Sequence, residues 1–145
     1  MLDVAAGGGR HTRWFVARGH HVVAVDRDTS LLLELADSDV EVVEADLEAG
    51  PWPFPGQRFD VIVVTNYLHR PLLPTLVDAV ARGGALLYET FAVGQERYGR
   101  PSNPDWLLQP GELLEAVRGE LRVVAYEDVT TDRPSRVQRI AAVRD

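Results

Sequence analysis

The sequence contains no cysteine, so neither a disulfide nor a thiolate metal site can form. It has no apolar run near the ~20 residues of a membrane-spanning helix, and its N-terminus lacks the basic start and apolar core of a signal peptide. It also lacks a basic excess, because 15 Lys and Arg face 22 Asp and Glu for a formal net charge of -7. Nucleic-acid-binding domains tend to be basic. These absences favour a cytoplasmic protein without a bound metal, and they argue against nucleic-acid and membrane partners.

The 145 residues, 46% of them apolar, suit a single globular domain over 1–145. Apolar β-branched runs alternate with short helical patterns, which predicts an α/β fold. Strands are predicted from Leu2 up to the glycines and then over 21–26, 40–44, 59–64, 85–90, 121–129 and 137–143. Helices are predicted over 10–18, around 31–35, from Pro71 to the glycine pair at 83–84, and from Pro110 through 117.

Two loops interrupt this alternation. The segment 50–56 contains three prolines and cannot be helical, and we expect its Trp52 and Phe54 to pack on the sheet. The polar segment 92–109 is long for a loop inside a compact domain, and such loops are usually functional or mobile. The last two predicted strands follow each other through a short turn, so they should pair as an antiparallel hairpin.

The first ten residues read as a short strand carrying Asp3, then three glycines, then the start of a helix. Glycines allow a tight reversal and a close ligand approach, and the helix directs free N–H groups toward the ligand. Gly7 and Gly9 fit the dinucleotide-binding pattern, but Thr12 occupies the place of its third glycine. No Lys-Ser or Lys-Thr pair follows, which excludes a P-loop. An acid inside the strand suits a ligand with a cationic amine better than a pyrophosphate.

The stretch 2–9, Leu-Asp-Val-Ala-Ala-Gly-Gly-Gly, resembles motif I of the class I S-adenosyl-L-methionine (SAM) dependent methyltransferases. Ala5 replaces the first glycine of that motif, which should cost little if its φ is negative. The resemblance spans essentially the whole chain. It implies a Rossmann-like, doubly wound, seven-stranded sheet in the order 3-2-1-4-5-7-6, mostly parallel with an antiparallel C-terminal hairpin.

The resemblance also implies a set of cofactor contacts. Asp26 ends the second strand. Its distance along the chain from the glycine turn is close to the ~20 residues expected for an acid that binds ribose hydroxyls, although it could instead cap the next helix. Asp46 matches the acid that meets the adenine amino group, although it could be an exposed loop acid. The implied cofactor-binding residues are Asp3, Ala5, Gly7, Gly9, His11, Asp26, Arg27, Ala45, Asp46, Leu47, Asn66 and Tyr67.

The implied activity is enzymatic methyl transfer from SAM to an unidentified small-molecule acceptor, with S-adenosyl-L-homocysteine as product. His69 is the first candidate for a general base, because histidine titrates near neutrality and follows the fourth strand, although it could simply cap or pack. Glu89 and Tyr98 are further catalytic candidates. One alternative is a SAM-binding domain without turnover. A nicotinamide-dependent oxidoreductase is another, disfavoured by Thr12 and Asp3.

Two further expectations concern a narrower family resemblance and the segment that covers the cofactor. The stretch from Phe91 to Leu113 resembles a narrower group, the tellurite-resistance-like methyltransferases. Met1 directly precedes the first strand, whereas family members usually carry an upstream segment that covers the cofactor. The expectation is that the N-terminal cap segment is absent and that either the 92–109 loop or a second subunit of a homodimer supplies the cover. The alternative is that the start codon was assigned late and a longer upstream reading frame encodes the cover.

Overall fold

A computed structural model describes all residues from 1 to 145 and contains one seven-stranded sheet. Its strands are β1 Leu2–Val4, β2 Val22–Asp26, β3 Val40–Glu44, β4 Phe59–Thr65, β5 Val80–Phe91, β6 Arg122–Thr130 and β7 Arg136–Val143. Their spatial order is β3-β2-β1-β4-β5-β7-β6, which confirms the expected topology. The first five strands run parallel, and β7 pairs antiparallel with both β5 and β6. The strand order reverses at β1, and open α/β sheets bind ligands at such a point.

The helices are short. They are α1 Arg10–Val16, α2 Leu73–Asp78 and α3 Glu112–Val117, with 3-10 turns at Leu33–Leu35, Arg70–Leu72, Gln95–Arg97 and Pro104–Trp106. None of the helices is long and apolar enough to cross a membrane. The helix predicted around 31–35 is reduced to one of these turns. The reason is local, because the side chain of Asp28 and the carbonyl of Thr29 accept the next free N–H groups in tight turns.

The helix predicted from Pro71 to residue 83 is wrong in its second half. α2 ends at Asp78, and Val80, which the helical pattern had included, already pairs with Phe59 in the sheet. The amide of Phe59 donates to the carbonyl of Ala79 at 2.8 Å, so β4 captures the backbone there. The register shifts before Val61, which pairs with Ala85. A longer helix would forfeit these strand hydrogen bonds.

The two faces of the sheet are covered unequally. We call "first face" the side from which Leu2, Ile62 and Leu86 project, and "second face" the side from which Asp3 and Leu87 project, since side chains alternate along a strand. The first face carries a cluster of 22 buried residues under α2, α3 and the 50–56 loop. The second face has a cluster of only three buried residues, under α1 and the turn at 33–35.

The proline-rich loop folds onto the first face as expected. Phe54 is buried there, with its ring 5.5 Å from that of Phe59 in an edge-on arrangement. Trp52 packs edge-on against Phe54 at 5.2 Å and is partly buried against the same cluster. The two aromatic residues therefore fix this loop beside the start of β4.

Candidate functional site

The glycine turn after β1 reverses the chain through left-handed backbone conformations. Gly7 and Gly9 have φ values of 56° and 81°, which favour glycine. A Cβ on Gly9 would lie 2.6 Å from Cδ1 of Leu35, so a larger residue would also clash there. A Cβ on Gly7 would meet nothing within 4 Å. The turn is therefore packed on its Gly9 side and open at Gly7, where a ligand can approach the backbone.

Ala5, which replaces the first glycine of the motif, does not have the negative φ that would make the replacement cheap. Its φ is 53°. The left-handed conformation costs a residue with a Cβ about 1–2 kcal/mol. The condition for a low cost is therefore not met, and the turn stores strain at this position.

Asp26 ties the glycine turn to the end of β2. Its Oδ2 accepts the N–H of Gly7 at 2.9 Å, and its Oδ1 accepts the N–H of Asp28 at 3.0 Å. No regular helix follows for it to cap. Each carboxylate oxygen can accept a second hydrogen bond, so Asp26 keeps acceptor capacity toward a pair of ligand hydroxyls.

Asp46 lies just after β3 and is held by its own turn. Its Oδ1 accepts the N–H groups of Glu48 and Ala49 at 3.0 and 3.1 Å. The hydrogen bonds from Ala49 and then Glu48 lower the pKa of Asp46 below its usual range, so it is an anion at neutral pH. Its Oδ2 has no partner within the chain and can accept from a ligand amine.

These groups surround a groove of about 200 Å³, which we call the inner groove. It is lined by Ala5, Asp26, Arg27, Ala45, Asp46, Leu47, Glu48 and Tyr67. Apart from Glu48, every lining residue is one of the cofactor-binding residues predicted from the sequence.

A second groove of about 410 Å³, the outer groove, continues toward the 92–109 loop. It is lined by Arg27, Glu48, Asn66, Tyr67, Leu68, Thr90, Phe91, Pro101 and Trp106. Tyr67 borders both grooves. Burial first, and then the nearby acids Glu48, Asp46 and Asp26, raise the pKa of Tyr67 to about 12, so its phenol stays protonated at neutral pH.

Asp3 and His11, also predicted to contact the cofactor, line neither groove. Asp3 is 2% exposed on the second face and accepts the hydroxyl proton of Thr12 at 2.7 Å. Burial raises the pKa of Asp3. Nε2 of His11 lies 3.0 Å from the Thr65 hydroxyl, which joins α1 to the end of β4. Their contacts with a cofactor remain predictions.

Comparison with known proteins identifies the family. Residues 1–84, more than half of the chain, match the family model described as "Methyltransferase domain". The chain belongs to the methyltransferase-domain family. A search of curated proteins gave no match to the sequence.

Several solved structures share the fold of this domain. A SAM-dependent methyltransferase from Mesorhizobium loti aligns with a TM-score of 0.78 at 19% identity, over 99% of this chain and 89% of that one. TehB from Haemophilus influenzae aligns with a TM-score of 0.77 at 16% identity, over 99% and 57%. The 1,6-didemethyltoxoflavin-N1-methyltransferase of Burkholderia thailandensis aligns with a TM-score of 0.72 at 22% identity, over 99% and 70%. The tellurite-resistance subgroup remains a prediction.

The methyltransferase domain does not bring its three candidate catalytic side chains together. Nδ1 of His69 lies 3.5 Å from an oxygen of Glu48, and His69 lines neither groove. Glu89 is ion-paired with Arg139 beside a separate cavity on the second face. Tyr98 is exposed on the 92–109 loop. A shared catalytic role for these residues has no support in the geometry.

Sequence reasoning missed most of the outer groove. Thr90 and Phe91 at the end of β5, and Pro101 and Trp106 in the long loop, were not among the predicted site residues. The position of Thr90 and Phe91 could have been inferred, because β5 neighbours β4 in the expected strand order and its carboxyl end must lie beside Asn66. Nothing local in the loop sequence indicates where it folds back.

Proposed function

We propose that this methyltransferase domain binds SAM with its adenosyl part in the inner groove and transfers the methyl group to a small-molecule acceptor. The observation that carries the proposal is the inner groove itself, because two fixed carboxylates, Asp26 and Asp46, border it beside the open glycine turn. The family assignment supports the reaction class.

The residues present suit an adenosyl ligand. Asp26 has acceptor capacity for the two ribose hydroxyls, and the free Oδ2 of Asp46 can accept the adenine amino group. The open side of Gly7 leaves room for a ligand chain along the turn. The Burkholderia neighbour was crystallised with S-adenosylhomocysteine, and the glycopeptide N-methyltransferase MtfA with sinefungin. Both observations support a similar ligand here.

When bound, SAM supplies a methyl group on a positively charged sulfonium; a lone pair of the acceptor forms the new bond to that carbon, and the electrons of the broken carbon–sulfur bond stay on sulfur. The chain's main contribution is alignment, which can supply on the order of 7–11 kcal/mol. Tyr67 stays protonated and His69 lies outside both grooves, so neither side chain is placed to act as a base in the grooves.

The separation of the candidate bases gives weight to a second candidate, a SAM-binding domain without turnover. The two functions differ in one measurement, which is the formation of S-adenosylhomocysteine with any acceptor. A domain that binds S-adenosylhomocysteine but never produces it would support the second function.

Calorimetric titration with S-adenosylhomocysteine tests the binding site. We expect Asp26→Ala to weaken binding by about 1–3 kcal/mol, because a charged hydrogen-bond acceptor is lost. Asp37→Ala is the matched control. Asp37 likewise accepts two backbone N–H groups, those of Asp39 and Val40, but lines no groove. Both variants should lose some stability, and only the first should lose affinity.

Two outcomes would contradict the proposal. Equal loss of affinity in both variants would mean that Asp26 acts only on the fold. Absence of heat with S-adenosylhomocysteine, together with a thermal shift on adding NAD, would favour the nicotinamide-dependent reading instead.

A further inference from the structure

We propose that the outer groove is an acceptor site for a flat aromatic molecule that carries an anionic group, with its ring beside Phe91 and Trp106 and its anion at Arg100. The inference rests on the proposed function in one respect, that the inner groove holds the adenosyl ligand. The choice of an aromatic anion as the occupant follows from the residues of the outer groove and of the cavity that continues it.

The grooves form one continuous path along the carboxyl edge of the sheet. The inner and outer grooves share Arg27, Glu48 and Tyr67. A further cavity of about 450 Å³ continues the outer groove past Phe91 and Trp106 and ends beside Arg100. A molecule in this path would reach from the ligand in the inner groove to the 92–109 loop.

The aromatic side chains of the outer groove have no aromatic partners within the chain. Trp52, Phe54 and Phe59 pack edge-on against one another beside the first face. Phe91 and Trp106, in contrast, form no ring pair, and Trp106 is 55% exposed. Aromatic rings favour stacked or edge-on contact with other rings, so this pair offers surface to a flat ligand.

The exposed tryptophan is held in place. Arg70 donates from Nη1 to the carbonyl of Asp105 and from Nη2 to that of Leu107, both at 2.8 Å, on either side of Trp106. Arg70 is itself fixed by an ion pair with Glu112 at 2.7 Å. The loop is therefore tied to α3 at this point, and the indole lies on a rigid support.

Thr90 adds a polar residue to the outer groove. It is 2% exposed and lines the groove together with Phe91 and Tyr67. Its hydroxyl gives the lining a hydrogen-bonding group that a purely apolar groove would lack.

Charge is distributed unequally along the path. The acids Asp26, Asp46 and Glu48 border the inner groove, and Arg27 and His69 lie near them. At the other end the guanidinium of Arg100 has no acidic partner. Its backbone carbonyl accepts a hydrogen bond from the side-chain amide of the buried Gln95 at 3.1 Å, so the backbone that carries the guanidinium is fixed. An anionic group would meet its counter-charge at Arg100.

The test is direct binding of naphthalene-2-carboxylate, measured by calorimetry with and without saturating S-adenosylhomocysteine. We expect Arg100→Gln to weaken binding about tenfold or more, because it removes a charged hydrogen bond. Arg97→Gln should have no effect, since Arg97 is an equally free arginine of the same loop that lines no groove. The amine analogue 2-naphthylmethylamine and the non-aromatic cyclohexanecarboxylate should both bind more weakly.

Trp106→Ala should weaken binding of the same probe about three- to tenfold. Trp14→Ala is its control, because Trp14 is 51% exposed but lies on the second face. Equal effects of the two arginine variants, or a loss of binding only in Trp14→Ala, would overturn the proposal. S-adenosylhomocysteine titrated into the same proteins separates the two proposals. Failure of that titration alone would contradict the proposed function and leave the aromatic-anion site standing.

Discussion

Leu86 and Leu87 are neighbours on β5, yet their environments differ because they project from opposite faces of the sheet. Leu86 is 3% exposed on the first face, beneath α2 and α3, whereas Leu87 is 37% exposed on the second. On the second face α1 packs beside β2 and reaches the end of β4 through His11, and it leaves Leu87 partly uncovered. Residue type is the same in both cases, so burial here depends on whether a second layer lies above the strand.

The second face also contains a cavity of about 610 Å³ between α1 and strands β4, β5 and β7. It is mainly apolar, with the ion pair of Glu89 and Arg139 at one side. Exposed apolar patches of this kind often mark contact surfaces. The homodimer expected from the sequence remains a prediction, and this face is the surface on which it can be tested.

The largest expected effect separates the faces directly. Leu86→Ala should reduce the free energy of unfolding by about 2–5 kcal/mol, since it opens a cavity in the core. Leu87→Ala should cost less than about 1 kcal/mol, as surface substitutions usually do. Chemical denaturation of the two variants measures both values. Equal costs would show that another layer covers the second face in solution, and light scattering would then identify a second copy.

A smaller effect on stability is expected at the glycine turn after β1, where two consecutive alanines pack against opposite faces of the sheet. Ala5 packs against the cluster of the first face and Ala6 against that of the second. Ala5→Gly should raise the free energy of unfolding by about 0.5–1 kcal/mol, because it relieves the left-handed strain but loosens the unfolded chain. Ala6→Gly should lower it by a similar amount, since Ala6 does not have a positive φ. Thermal denaturation distinguishes a gain of stability in Ala5→Gly from a loss in Ala6→Gly. A loss of stability in both variants would contradict the backbone strain assigned to Ala5.

The smallest expected effect is a change in the pH dependence of the free energy of unfolding. It concerns Asp3, which lies on the covered part of the second face. Burial raises the pKa of Asp3 above 3.8 in the folded state, so the folded protein holds this proton more tightly than the unfolded chain. The resulting stabilisation is present below pH 3.8 and is lost as pH rises through the folded pKa. Asp3→Asn lacks this dependence. Unfolding free energies between about pH 3.5 and 7 should show the variant gaining stability relative to the wild type, and parallel profiles would contradict the assignment.

Much of the inner groove could be predicted from the sequence because its determinants are local. Glycines at 7 and 9 favour a left-handed turn, and Asp26 and Asp46 stand at or just after strand ends. Parallel strands place their carboxyl ends at one edge, so acids at those positions must converge. The strand order came from the family resemblance, and it is confirmed.

Other features depend on contacts between distant segments, and local pattern could not reveal them. The helical pattern through Val80 was overridden when β4 captured the backbone beside Phe59. The outer groove exists because Arg70 holds the long loop to the turn before α2, and Gln95 holds it to the start of β7. Sequence position also grouped His69 and Glu89 as catalytic candidates, whereas the fold places His69 beside Glu48 and Glu89 beside Arg139.

The sequence by itself determined the family, the glycine turn and the acids of the inner groove, because each follows from backbone preference or strand-end position. Tertiary structure decided the φ of Ala5, the different burial of Leu86 and Leu87, and the place of Trp106 beside Thr90. The physical reason is that these properties depend on which layer or loop lies opposite a residue. That partner comes from far along the chain and has no signature in the residue's own neighbourhood.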